Sequence, residues 1–366
     1  MAKSRLAELA ARGQSVWFDT LSRELVGSGE LKRMMKDDAV TGVTSNPTIF
    51  QKALSSGDAY DEDLKKLLAE TDDPTKIFFS LALEDIRDAC DVLKPAYDAS
   101  DGVDGYVSME VEPGIAYDTD RTFEQARWIA NEVDRPNLYV KIPATVPGLP
   151  AIEECTAHGT SINITLIFSL DRYKAVVEAY LRGLERLIAG GGDPSEVVSV
   201  ASFFVSRVDT EADKRLEQHP KLQGKLAIAN AKLAYQHYLE AFSGPRWEYL
   251  ESKGAHKQRC LWASTSTKSP AYRDVMYVEE LIGPDTVNTM PLETIEAFQD
   301  HGEVRGDTVL EGIDDAKRLL DELRDAGVDY DDVVATLEAE GVQKFADSFE
   351  EIVDSIRAKR GSLAAA

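Results

Sequence analysis

Cysteine is nearly absent from this chain, with three residues in 366: Cys90, Cys155 and Cys260. Thiols so few and so scattered exclude a disulfide framework or a cysteine-based zinc site. Cys90 lies in a helical pattern and Cys260 in a strand, so they read as small buried apolar residues. Histidine is scarce too. The five residues His158, His219, His237, His256 and His301 show no HxH or HExxH spacing, so neither a metal nor a histidine-activated nucleophile is expected, and no cofactor is called for. No apolar run is long enough to span a bilayer, and Met1-Ala2-Lys3-Ser4-Arg5 leads into an amphipathic helix instead of a signal h-region. The expected location is therefore cytoplasmic. Positive charge is also short, 41 Lys and Arg against 65 Asp and Glu, for a formal net charge of −24. That balance works against nucleic acid or an anionic membrane as partners. Any anionic ligand must find its cations in the site itself.

What is present is an alternation. Strand-like runs occur at Ser15–Thr20, Val40–Asn46, Gly105–Val111, Leu138–Ala144, Ser161–Phe168, Val197–Val205, Gln258–Ser264 and Thr286–Met290. Helix-period segments separate and follow them: Leu21–Lys36, Pro74–Ala99, Arg121–Val133, Gly148–His158, Leu170–Ala189, Leu222–Phe242, Tyr272–Ile282 and Leu292–Asp300. Eight strands alternating with helices predict a (β/α)8 TIM barrel over a doubly wound sheet, which announces itself with a glycine-rich first turn. Here Gly190-Gly191-Gly192 follows a helix and reads as a C-cap and turn, not a phosphate loop. Extra helical material at Thr48–Glu70 decorates the loop after strand two. The whole of 1–366 is expected to form one barrel domain, with 302–360 as a C-terminal helical extension that Gly341 splits into two helices.

The stretch Leu138-Tyr139-Val140-Lys141-Ile142-Pro143-Ala144-Thr145 is the most informative. Apolar Leu138, Val140 and Ile142 alternate with Tyr139 and Lys141, so a lysine shares a strand with a buried face. The ordinary place for a strand lysine is an exposed sheet face. Burial instead disfavours the ammonium and favours the neutral amine, the form that attacks a carbonyl.

In a barrel, catalytic groups project from the C-terminal ends of several strands into one mouth. Period-two counting puts a polar inward candidate there on strand after strand. Strand one offers Asp19, and strand two Gly42, Thr44 and Asn46 before Pro47 ends it. Strand three offers Ser108, Glu110 and Glu112, and strand four Lys141. Strand five carries Asn163 and Thr165. Strand six has Ser202, Phe204 and Ser206 followed by Arg207, and strand seven runs through Ser264 to Lys268. Singly, such residues are turn formers or surface charges. Six strands with the same arrangement point to an inward lysine flanked by carboxylates, amides and hydroxyls, which suits imine chemistry on a polyhydroxylated carbonyl compound. Arg207 and Lys268 beside hydroxyls suit a phosphate on that compound.

Gly42-Val43-Thr44-Ser45-Asn46-Pro47-Thr48-Ile49-Phe50 resembles the transaldolase signature near the second strand, and Tyr139-Val140-Lys141-Ile142-Pro143-Ala144-Thr145 resembles that family's Schiff-base strand. The resemblance continues through Glu110-Val111-Glu112-Pro113, Asn163-Ile164-Thr165-Leu166-Ile167-Phe168-Ser169 and Ser202-Phe203-Phe204-Val205-Ser206-Arg207, and the long C-terminal region is similar to that of the longer subgroup. It implies a class I aldolase-type barrel that moves a dihydroxyacetone unit between sugar phosphates, as a monomer or homodimer. It further implies Lys141 as the imine former, Glu110 as proton carrier through a water held by Thr165, and Asp19 as the base for the C4 hydroxyl. By the same resemblance Asn46, Asn163 and Ser202 would bind the three-carbon unit, and Arg207 the phosphate. The family's second phosphate arginine has no counterpart in Ser264-Thr265-Ser266-Thr267-Lys268, which leaves Lys268 with Ser264 for that role. The related fructose 6-phosphate aldolases carry Gln and Tyr where this chain has Glu110 and Phe204, which favours the transferase over an aldolase releasing dihydroxyacetone. A non-covalent sugar-phosphate isomerase is the remaining alternative.

Overall fold

The computed structural model describes residues 4–55 and 58–364, of which 361–364 by backbone alone. Among them, strands β1 (Gln14–Phe18), β2 (Val40–Thr44), β3 (Val107–Glu110), β4 (Leu138–Pro143), β5 (Ile162–Ile167), β6 (Ser199–Phe204), β7 (Arg259–Ala263) and β8 (Thr286–Met290) run parallel and close in chain order into a barrel. β8 pairs back onto β1, with Trp17 beside Thr289. The chain therefore has the (β/α)8 architecture its alternation predicts.

Parallel neighbours require crossovers, and helices supply them. Helix α1 (Arg5–Ala11) precedes β1, and α2 (Arg23–Gly27) with α3 (Glu30–Asp37) leads to β2. After β2 come α4 (Pro47–Ser55), α5 (Asp61–Glu70) and the long α6 (Pro74–Ala99). α7 (Thr119–Val133), α8 (Gly148–Ala157) and α9 (Leu170–Ala189) follow β3, β4 and β5. α10 (Ser206–Lys214), α11 (Leu226–Ala241) and α12 (Gly244–Ser252) follow β6, and α13 (Met276–Glu280) follows β7. α14 (Leu292–His301), α15 (Ile313–Asp325) and α16 (Tyr330–Ala364) complete the chain.

Both faces of each strand are buried, the outer one beneath helices, which is why Val107, Val140, Ile142, Ile164 and Phe203 are sealed from solvent. Inside, Trp17, Tyr106 and Tyr139 plug the lower barrel, with ring centroids 4.2 Å apart for Tyr106–Tyr139 and 6.0 Å for Trp17–Tyr139. Gly42 faces this plug: a Cβ there would stand 2.5 Å from the Trp17 indole. The aromatic floor therefore requires glycine at the head of the second-strand motif.

Three boundaries differ from the sequence expectation. The segment 21–36 is two helices, because Gly29 takes φ +80° and caps the second. Helix α10, which begins directly on β6, was not among the expected elements. Gly341 does not split the C-terminal region either. The break falls at 326–329, where Gly327 has φ +84°, and α16 runs through Gly341 without interruption. A Cβ at 341 would lie 3.0 Å from Leu166 Cδ2, so this glycine serves close packing of α16 on the end of β5. Arg172–Glu338 (3.2 Å) and Arg215–Asp332 (2.7 Å) fasten the same helix to the barrel.

Candidate active site

Strand register brings the polar inward positions to one level. Glu110 lies beside Lys141, Lys141 beside Asn163, and Pro143 beside Thr165. Above them opens a cavity of about 610 Å³, lined by Asp19, Asn46, Lys141, Thr165, Ser202 and Phe204, among others. Arg207, Ser264 and Lys268 line the same cavity. Glu110 and Asn163 stand behind its wall, and Glu110 also borders a small apolar pocket with Asn46, Phe78 and Phe349. Glu112 stands in that pocket, away from the cavity.

Lys141 is 5% exposed. Its Nζ donates to the Ser45 carbonyl at 3.1 Å and lies 3.5 Å from Glu110 Oε2. Both Glu110 oxygens and Thr165 Oγ1 are buried with no hydrogen-bond partner among the described residues. Burial pushes the Glu110 carboxyl up to about 7, against the pull of Lys141 and Arg207. It is therefore poised to give or take a proton near neutrality. Asp19 is raised as well, by burial, while the Thr44 hydrogen bond and the charges of Lys141, Arg207 and Lys268 hold it down.

The Asp19 carboxylate is fixed from one side. Thr44 Oγ1 donates to Asp19 Oδ1 at 2.6 Å, and Thr289 Oγ1 lies 2.6 Å from Thr44 Oγ1. A hydroxyl has one proton, so with Thr44 donating to Asp19 the second contact runs from Thr289 to Thr44. Thr44 sits on the inward face that period-two counting identifies, but no role was assigned to it. Thr289 was overlooked because strand eight was not searched for an inward polar residue.

The amides are partly committed. Asn46 Oδ1 accepts from Ile49 N at 3.0 Å and caps α4, which leaves its Nδ2 as a donor into the cavity. Asn163 donates to Ser108 Oγ at 3.0 Å and accepts from Ser202 Oγ at 2.6 Å, so it is a buried strut between strands. Arg207 lies in the first turn of α10 with its guanidinium 4.9 Å from the Phe204 ring centroid. Ser264, at φ +57°, turns the chain after β7 and shares a 2.9 Å contact with Ser206 Oγ. Lys268 donates to Ser266 Oγ at 2.6 Å. Lys52 and Lys344, absent from the sequence expectation, also line the cavity. Both sit on exposed faces of helices, where a lysine carries no local signal.

This arrangement can attack a carbonyl with an amine, move protons with two carboxyls of different surroundings, and hold an anion at the far side. Among the described residues no cluster of three or more His, Cys, Asp or Glu could hold a metal, and no helix is long and apolar enough to cross a membrane.

A family model described as transaldolase/fructose-6-phosphate aldolase matches residues 16–356. The transaldolase of Parafrankia sp. (strain EAN1pec) is 54% identical over 364 residues, covering 98% of this chain and 99% of that protein. The transaldolase of Frankia alni is 51% identical over 361 residues, 97% of each chain, and that of Thermobifida fusca is 52% identical over 358 residues, 96% and 97% of the two chains.

Proposed function

This chain belongs to the transaldolase/fructose-6-phosphate aldolase family, and on that premise we propose that Lys141 carries the covalent step of its reaction at the barrel mouth. The enzyme is a transaldolase, a transferase of the non-oxidative pentose phosphate pathway. It moves a dihydroxyacetone unit from sedoheptulose 7-phosphate or fructose 6-phosphate to glyceraldehyde 3-phosphate or erythrose 4-phosphate. The observation that supports the residue assignment is the buried Lys141 amine 3.5 Å from a Glu110 carboxyl held near neutrality.

Lys141 Nζ attacks C2 of the ketose phosphate, and the carbonyl oxygen becomes a carbinolamine hydroxyl. Glu110, working with Thr165, delivers the proton with which that hydroxyl leaves as water, giving the protonated imine. Asp19 takes the proton of the C4 hydroxyl. The C3–C4 bond then breaks, its electron pair flows into the imine, and an aldose phosphate departs while the three-carbon enamine stays on Lys141. An incoming aldose phosphate accepts the enamine carbon at its aldehyde, and the steps reverse to free the new ketose. Asn46 Nδ2 and Ser202 bind hydroxyls of the three-carbon unit. Asn163 acts through Ser202, which it holds in place. Arg207, Ser264 and Lys268 take the phosphate, and Phe204 closes the cavity beside Arg207. We read residues 1–366 as one such catalytic unit with 302–360 as its helical extension, acting in the cytoplasm as a monomer or homodimer.

Borohydride reduction in the presence of fructose 6-phosphate tests the reading. The expected result is a three-carbon mass adduct on Lys141, absent in Lys141→Arg, which folds but is inactive because arginine does not deprotonate to a nucleophile. An active Lys141→Arg enzyme would overturn the imine assignment. Release of free dihydroxyacetone irrespective of erythrose 4-phosphate would show an aldolase, and turnover without any adduct a non-covalent isomerase.

A further inference from the structure

Four cations line the catalytic cavity: Arg207, Lys268, Lys52 and Lys344. Among the described residues none of them forms an ion pair. Lys268 donates only to Ser266, and Arg207 stacks on Phe204. In a chain of net charge −24 that is an unusual concentration of unmatched positive charge. Glu293 also lines the cavity, and Glu340 lies close enough to act on Arg207, yet neither pairs with any of the four.

Two of these cations come from outside the barrel strands and their loops. Thr48 on α4 and Ser348 on α16 share a 2.8 Å hydroxyl contact. Lys52 is one turn onward from Thr48, and Lys344 one turn back from Ser348, so each lies on the same helix face as that contact. Both lysines, with their neighbours Ile49 and Phe345, reach the cavity, which requires α4 and α16 to pack antiparallel there. The charges of Arg207, Lys268 and Lys52 all bear on Lys344 and, with its burial, hold its ammonium below the usual lysine range. Packing two helices so that like charges meet is unfavourable in the empty cavity. It becomes favourable when a doubly charged anion sits among them.

We propose that Lys344 and Lys52, brought together by the packing of α16 on α4, form the outer half of the anion site whose inner half is Arg207 and Lys268. The C-terminal helix is then a specificity-determining part of the substrate site, one that distinguishes phosphorylated from unphosphorylated aldoses. This rests on the transaldolase reading above.

The test compares glyceraldehyde 3-phosphate with glyceraldehyde as acceptor, at saturating fructose 6-phosphate, in wild type, Lys344→Met, Lys344→Arg and Lys52→Met. Loss of one charge-assisted contact is expected to lower the kcat/KM preference for the phosphorylated acceptor about ten-fold in each Met variant. The loss should appear in KM rather than kcat, and Lys344→Arg should retain most of the preference. An unchanged preference, or equal losses for both acceptors, overturns the proposal. A wild-type enzyme that transfers nothing and traps no adduct on Lys141 would instead overturn the transaldolase reading beneath it.

Discussion

A carboxylic acid buried beside an amine is pulled two ways, and at Glu110 burial wins. The raised value of about 7 means the folded state holds a proton that an unfolded glutamate has already released. Between the ordinary value near 4.5 and about 7, the native chain binds more protons than the unfolded one, so stability falls as pH rises through that window. Glu110→Gln removes this slope. The variant should gain on the order of 2 kcal/mol relative to wild type between pH 5 and pH 8 in denaturant titrations, while its kcat falls about a hundred-fold or more. A wild-type stability that is flat across the window would contradict the raised value. The inward placement of Glu110, Lys141 and Thr165 is legible in the sequence because a strand alternates strictly and one face must be apolar. Asn163 is legible as inward but not as a strut, since its partners Ser108 and Ser202 lie 55 and 39 residues away.

At the scale of elements, the alternation of strand and helix is readable because each strand is a short apolar run. The C-terminal region is where the reading misplaces a boundary. Local propensity makes Gly341 a helix breaker, costing about 1 kcal/mol relative to alanine. The contact with Leu166, itself at φ +59° just after Thr165, is long-range and overrides that propensity. The consequence is testable with Gly341→Leu. Its Cβ alone would press on Leu166 at 3.0 Å, and the rest of the side chain has no space, so α16 must lift from β5. Lifting α16 moves Lys344 and Phe345 at the mouth. The variant should therefore lose about 1–3 kcal/mol of stability and also raise KM for the phosphorylated acceptor several-fold. A loss of stability with unaltered KM would show that the position of α16 does not matter to binding. Helix α10 escapes the sequence reading for a related reason. It follows β6 with no intervening loop, so its start is masked by the end of the strand.

The whole molecule opposes its own substrates. A dianionic sugar phosphate about 25 Å from the centre of 24 net negative charges meets roughly 8 kcal/mol of repulsion in unscreened water. A chain of this length has a radius of gyration near 21 Å, so that distance is just outside its surface. Inside the mouth the sign reverses, because Arg207, Lys268, Lys52 and Lys344 gather around one cavity. The two fields have different ranges, and salt separates them. Raising ionic strength from about 0.01 M to 0.1 M shortens the screening length from roughly 30 Å to 10 Å, which removes most of the far repulsion and leaves contacts within the site almost intact. Near 1 M the length falls to about 3 Å and the site's own attraction is screened. kcat/KM for glyceraldehyde 3-phosphate should therefore rise several-fold, pass through a maximum and then fall, whereas that for glyceraldehyde should stay nearly level. Measuring both acceptors across this range of potassium chloride decides the matter. A steady decline from the lowest salt would mean that the four cations govern the approach as well as the binding, and that the acidic surface exerts no hold on the substrate.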